Sequence, residues 1–370
     1  MQVELSQLAK RYSDFYTPAF SVRLSGQDLV RELLAPVSQL EVDLMLGAAS
    51  RFSFTIPNCY DQEKGIFRTS QSKNLLNKLE FGSKVELYMG YGDSKSLPIV
   101  LKGVVTEITT DFPEGGVPEL TIAGYDYGFS MTIGKNKRTW SKKRDSYAAT
   151  EIAQFHNLGA KIESTIDEQI QIEQNQESDW EFLKKLAERN HFELYVDEQA
   201  TLHFARPDKK QSAIVKLEYG KALLSFRPEA NLAGQISRVE VYGWDLRQNK
   251  KIVGVANAGQ EFGLRGDSPG QFLRSFGPGP KKQPTLRIRQ PVRSQAEAKK
   301  LAQNILNERA EKFLTGEGEC IGLPEIRPDR NVKLDRLGGS FSKTYYIHQA
   351  THKIDSNGYR TRFKVKETGL

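Results

Sequence analysis

The stretch RNVKLDRLGGSFSKTYYIHQATHKIDSNGYRTRFKV (330–365) decides the fold. Val332 and Leu334 alternate with polar neighbours, as one buried face of a strand does. Gly338-Gly339 marks a turn, a β-branched and aromatic run leads to Ile354, and Gly358 turns the chain into a last alternating strand. The same order of features occurs once more, far upstream. Val85 and Leu87 precede a turn bearing Gly90 and Gly92; a long strand runs to Ile108; Gly115-Gly116 turns it; an alternating strand follows over 119–123. Identity between the two stretches is low, and it is the spacing that predicts a repeated antiparallel β-unit.

Outward from these stretches, Phe20, Val22 and Leu24 form another alternating face, and 51–56 alternates before the stop Pro57-Asn58. Residues 1–134 are therefore expected to be a first β-barrel. KNKRTWSKKR (135–144), with six basic residues in ten, reads as a linker. After it the period changes. A short helix is expected over 147–156, with Ala149, Ile152, Ala153 and His156 on one face and Ser146 as N-cap. SDWE (178–181) is a capping box: the Ser178 hydroxyl accepts from the N3 amide and Glu181 reaches back. The helix it opens carries Trp180, Phe182, Leu183 and Leu186, read as core, and a hairpin over 192–196 and 202–205 follows. Residues 135–212 thus form an inserted α+β domain. The second barrel is expected to be discontinuous, 213–250 and 315–370. Between its parts, 251–314 reads as a Gly/Pro-rich loop and a long helix beside the inserted domain. SQAE (294–297) opens that helix, and Ala298, Leu301, Ala302, Ile305 and Leu306 make its apolar stripe. The expected fold class is α+β, mainly β: two tube-like antiparallel β-barrels with an inserted small α+β domain and a long helix.

Composition agrees with a folded chain. The 370 residues (41.8 kDa) are 38% hydrophobic and 27% charged, with mean hydropathy −0.54, which excludes wholesale disorder. No stretch approaches the ~18–20 apolar residues of a membrane helix, and MQVELSQLAK lacks the pattern of a secretory signal. Two cysteines, Cys59 and Cys320, make neither a disulfide framework nor a four-ligand zinc site. A net charge of +7 permits a polyanionic partner without requiring one.

Motifs for chemistry are sparse. Of His156, His191, His203, His348 and His352, only the last two have metal-like spacing. Their surroundings, TYYIHQATHKI, read as strand, which holds residues four apart about 13 Å from one another, too far for one ion. No G-x-S-x-G occurs, neither cysteine has a catalytic setting, and no two acids stand out as a glycosidase pair. GPGPKK (277–282) is not a Walker loop, because its prolines remove backbone donors; RGD (265–267) is chance-level. The basic runs 135–144, with Trp140, and 281–293 leave nucleic-acid binding as an alternative. No catalytic, cofactor-binding or metal residue is assigned, and the chain is read as a non-enzyme.

Two stretches resemble one family. QNQESDWEFLKKLAERNHFELYVDEQATLHFA (174–205) looks like the Q-x-x-ESD-x-x-FL-x-x-LA signature of phage late control protein D and the VgrG proteins. GLPEIRPDRNVKLDRLGGSFSKTYYIHQATHKIDSNGYRTRFKV (322–365) looks like that family's closing barrel, with Asp329 where a glycine is usual. The resemblance spans about residues 18 to 367. It implies a trimeric baseplate hub, similar to the T-even phage hub and the N-terminal part of VgrG, joining a hexameric tail-tube ring to a trimeric spike. It implies no cofactor and no membrane partner, and nucleic acid only as cargo in the channel. As the chain stops soon after the second barrel, the spike, an OB-fold plus β-helix, is expected on a separate polypeptide. The expected location is a phage, tailocin or injection-system particle, assembled in the bacterial cytoplasm. A tail-tip cell-wall hydrolase is the enzymatic alternative.

Overall fold

A computed structural model describes residues 5–12, 15–69, 74–93, 95–166, 168–209, 211–245, 248–274, 276, 284–292 and 294–370. The first part of the chain forms α1 (Leu5–Arg11), β1 (Pro18–Leu24), β2 (Gln27–Asp28), β3 (Gln39–Met45), β4 (Arg51–Pro57), β5 (Tyr60–Asp61), β6 (Ile66–Phe67), β7 (Lys84–Tyr91), β8 (Ile99–Asp111) and β9 (Glu119–Asp126). The middle forms β10 (Asn136–Arg144), α2 (Asp145–Phe155), β11 (Gly159–Ile162), β12 (Glu168–Glu177), α3 (Asp179–Asn190), β13 (Glu193–Val196) and β14 (Thr201–Ala205). Then come β15 (Val215–Glu218), β16 (Leu223–Ala230), β17 (Arg238–Asp245), β18 (Lys250–Asn257), α4 (Pro269–Leu273), β19 (Thr285–Arg289), α5 (Gln295–Ala310), β20 (Leu314–Ile321), β21 (Arg330–Asp335), β22 (Thr344–Asp355) and β23 (Gly358–Glu367).

The molecule is mainly β, and thirteen strands join in one large sheet. Two runs of six can be traced in it: β3-β4-β9-β8-β7-β1 and β16-β20-β23-β22-β21-β15. Pairing is antiparallel throughout, except that β15 lies parallel to β21 whereas β1 lies antiparallel to β7. Among the described residues no ladder closes either run on itself. The runs meet where β22 pairs with β3, from Gln349↔Met45 to Ile354↔Leu40.

Their registers match rung by rung. In the first run Val105 faces Gly124, which faces Phe52, which faces Val42; in the second Ile347 faces Val365, Gly316 and Pro228 in turn. Each long strand has a bulge at the next residue, between Val105 and Glu107 in β8 and between Ile347 and Gln349 in β22. This equivalence keeps Val85 with Val332 and Leu87 with Leu334 but sets Ile108 opposite Ala350, not Ile354. Beyond each bulge the long strand leaves its hairpin partner. Only Thr344–Ile347 of β22 pair with β21, and the outer half passes to β3.

One apolar core serves both runs, including Val22, Leu40, Phe52, Phe54 and Ile122 together with Leu314, Val332, Leu334, Tyr345 and Phe363. The middle unit has its own core around Trp140, Ile152, Trp180, Phe182, Leu183, Leu186 and Phe204. A third, smaller core sits between the β18-β17-β19 sheet and α5. There Gly254 admits the helix, because a Cβ would stand 2.1 Å from the Ala298 carbonyl. Helix α3 carries the complete Ser178–Glu181 capping box and ends with His191 in the left-handed conformation. At α5, Ser294 Oγ accepts from the Glu297 amide at 3.1 Å.

Three expectations are corrected. KNKRTWSKKR is not a linker: β10 pairs with β12 along its length, with Trp140 opposite Ile172. Ser146 does not cap α2, which starts at Asp145; its Oγ accepts from the Thr165 amide instead. Within 213–250 only β15 and β16 join the large sheet, while β17 pairs with β18 and β19, so 251–314 holds two strands as well as loop and helix. The loop 277–282 and part of the run 281–293 lie outside the described residues.

Candidate assembly interface

The histidines and cysteines are buried or half-buried within the fold. His352 is fully buried on β22; its ring contacts Thr361 Oγ1 (3.1 Å), Tyr359 OH (3.0 Å) and the Ile326 carbonyl (3.0 Å). Burial, with Arg327 nearby, pushes it down to about 3, so it stays neutral. His348 sits on the bulge among different neighbours, and burial with Lys366 and Lys364 takes it to about 4. The two rings do not converge, and among the described residues no group of His, Cys, Asp and Glu could hold a metal ion. His156 Nε2 contacts Asp179 Oδ2 (2.9 Å), His203 Nε2 contacts Asp197 Oδ2 (2.7 Å), and His191 lies 3.6 Å from Glu311. Both cysteines are buried and free, and burial raises their thiols.

The basic run 135–144 is partly turned inward. Trp140 stacks on Phe182 (5.3 Å, 11°) and donates to Glu151, so it is not available to stack on a base. Arg138 donates to Asp179, which also accepts from Asn136 (3.0 Å) and Gln174 (2.7 Å). Arg265 of the RGD triplet is likewise structural, donating to the carbonyls of Lys209 and Thr344 and to Asn331.

Two clamps hold the middle unit against the large sheet. Arg327, in the turn 322–328, donates to the Ile99 and Val100 carbonyls of β8 and pairs with Glu198 at 2.7 Å. One guanidinium thereby ties both runs to the middle unit. Gly322 lets that turn lie flat on Tyr359, since a Cβ would fall 2.0 Å from the ring. Asp329 follows at φ 58°, a conformation that Asp tolerates better than most residues. Its carboxylate accepts from Tyr346 (2.9 Å), Tyr195 (3.2 Å) and the Asp208 amide (2.8 Å). The second clamp is a buried charge nest. Glu311 accepts from Lys209 and Lys366, both at 2.8 Å. Burial opposes its ionisation, but Lys366 and Lys209 pull the carboxyl down to about 2. The sequence marked Asp329 only as an unusual residue after Pro328, and nothing local pointed to Arg327 or Glu311, whose partners lie far away in the chain.

What the clamps leave exposed are two sheet edges. Among the described residues no strand covers β8 beyond its bulge, where Glu107, Thr109, Thr110 and Asp111 are exposed. Likewise none covers the outer edge of β16, where Ser225, Arg227, Glu229 and Ala230 are exposed. Charged side chains and Pro228 on β16 are the features expected of an exposed strand edge.

A family model described as the Alg8 N-terminal domain matches residues 17–356, and the chain belongs to that family. No curated protein matches the sequence. Among solved structures, the fold is shared with the 43 kDa tail protein of prophage MuSo2 from Shewanella oneidensis (TM-score 0.71, 13% identity, 95% of this chain and 99% of that one). It is shared also with a tail protein from Neisseria meningitidis MC58 (TM-score 0.67, 14% identity, 95% and 97%). The E. coli c3393 protein, a type VI secretion component, is a more distant match (TM-score 0.55, 11% identity, 93% and 76%).

Proposed function

We propose that this chain is a structural, non-enzymatic hub of a contractile tail or injection-system baseplate. In this reading three copies form a ring that adapts a sixfold tail tube to a threefold spike. The observation that carries the reading is the pair of register-matched six-stranded runs in one polypeptide. Each run acts as one tube-like unit, so three chains present six quasi-equivalent units to a hexameric ring. The opposite face keeps the true threefold symmetry of the trimer. The fold shared with phage tail proteins and a type VI secretion component supports the same role. The middle unit, with α3 and α5, braces the ring and handles no cargo. The site of action is the assembled tail or injection particle.

The test is the mass of the purified chain in solution, alone and mixed with tube and spike proteins encoded beside it. A three-chain particle that captures both is expected. A stable monomer that captures neither overturns the reading.

A further inference from the structure

The internal joint of this chain has counterparts in both runs that lack a strand partner among the described residues. Inside one chain the outer half of β22 pairs with β3. By the rung equivalence, β8 corresponds to β22 and β16 to β3. These two counterparts are the strands whose edges the described residues leave uncovered. We infer that the outer half of β8 pairs, antiparallel, with β16 of a neighbouring copy, so that one continuous sheet passes from chain to chain around the ring. This deepens the hub reading and rests on it.

The register is transferable. At the internal joint Gln349, Ala350, Thr351, His352 and Lys353 face Met45, Leu44, Asp43, Val42 and Glu41. Between copies this becomes Glu107, Ile108, Thr109, Thr110 and Asp111 facing Asn231, Ala230, Glu229, Pro228 and Arg227. The chemistry is complementary at the positions that decide it. Lys353 opposite Glu41 becomes Asp111 opposite Arg227, an opposite-charge pair with the signs exchanged. Neither Asp111 nor Arg227 makes an ion pair within the described residues of one chain. The Thr351 hydroxyl donates to Asp43 at 2.8 Å; Thr109 can donate to Glu229 in the same way. Ile108 meets Ala230, apolar on apolar. Glu107, standing where Gln349 does, is already held by Arg51 at 2.9 Å.

Backbone polarity agrees. Across the internal joint the Leu46 amide donates to the His348 carbonyl, so the even-numbered residues of β3 face β22. On β16 the Asn231 amide donates inward to Phe313, so Ala230 and Pro228 face outward. Pro228 offers a carbonyl and no amide, leaving one bond in place of two at its rung with Thr110. The contact is heterologous, the kind that closes a ring.

Disulfide trapping tests the register. Thr109 and Glu229 would form a non-hydrogen-bonded pair, where antiparallel side chains are closest, and the two native cysteines are buried. The T109C/E229C double variant, oxidised and run on a non-reducing denaturing gel, is expected to give bands of two and three chains. Each single variant and the register-shifted T109C/R227C should stay at one chain. Charge reversal gives a second arm that needs no disulfide. D111R and R227D should each weaken self-association by about 5–10-fold, and the two together should restore it. A three-chain particle that neither cross-links at 109/229 nor responds to the reversals overturns the edge pairing and leaves the hub reading standing. Cross-linking in a particle that ignores tube and spike overturns the hub reading and keeps the pairing. A monomer under all conditions, with no cross-link, overturns the pairing.

Discussion

The two six-stranded runs share a backbone plan and differ in where they keep their bulk. Across one rung the first run reads Leu40, Phe54, Ile122 and Ile108; the matching rung of the second reads Phe226, Gly318, Phe363 and Ala350. The large rings have moved to neighbouring strands. One rung along, Phe52 lies over Gly124 in the first run, whereas in the second Gly316 admits the ring of Phe226 from the adjacent strand. A close-packed interior fixes the volume available to a rung, not which strand supplies it. Two copies of one plan can therefore diverge almost completely at single positions while the sheet stays the same.

Reversing this exchange is the strongest way to break the comparison. Phe54→Ala empties a fully buried site stacked on Phe52 and should cost ~3–5 kcal/mol, read from urea or thermal unfolding. At the matching position Gly318→Ala does the opposite, placing a Cβ 2.6 Å from Phe363, and should cost ~1–3 kcal/mol by overpacking. Phe363→Leu in the same chain should recover part of the second loss and none of the first.

Asp329 sharpens the comparison next, because the first run has no counterpart to its clamp on the middle unit. Asp329→Gly relieves the left-handed backbone but loses the acceptor for Tyr346 and Tyr195; Asp329→Ala loses the acceptor and keeps the strain. Unfolding should show both destabilised, the alanine variant by ~1 kcal/mol more.

The smallest effect concerns a feature that both runs retain. Asp126 ends β9 and Glu367 ends β23 at equivalent rungs, and burial raises each carboxyl to about 7. A folded-state value above the unfolded one gives stability that is full below the unfolded pKa and is lost as pH rises toward about 7. Wild-type stability, measured against Asp126→Asn and Glu367→Gln, should therefore fall between about pH 4 and pH 7. Glu311 acts with the opposite sign, its contribution being lost as pH falls from 4.5 toward about 2.

Much of this architecture was legible in the sequence because it rests on local signals. Ser178 and Glu181 announce α3, and the glycine-punctuated hairpins announce the repeat. The register was not legible, because the path from Leu87 to Val105 is 18 residues and that from Leu334 to Ile347 is 13, and this unequal turn makes Ile108 look like the partner of Ile354. Strand β10 was hidden by its charge: Trp140 is the one apolar side chain on its buried face, and Arg138 points inward only because Asp179 waits there. Residues 213–250 read whole as part of the second barrel because sequence pattern does not tell which sheet receives a strand. The two uncovered edges were the least visible, since an uncovered strand and a covered one share the same pattern until their partners are known.

The bulge in each long strand is a point of hand-over. Because the inserted residue sits where β22 exchanges β21 for β3, it lets one strand belong to two neighbourhoods in succession. Strand β21 begins at Arg330, opposite Ile347, so the outer half of β22 is left free to pair with β3. One strand thereby serves as the seam along which the two runs are stitched into a single sheet.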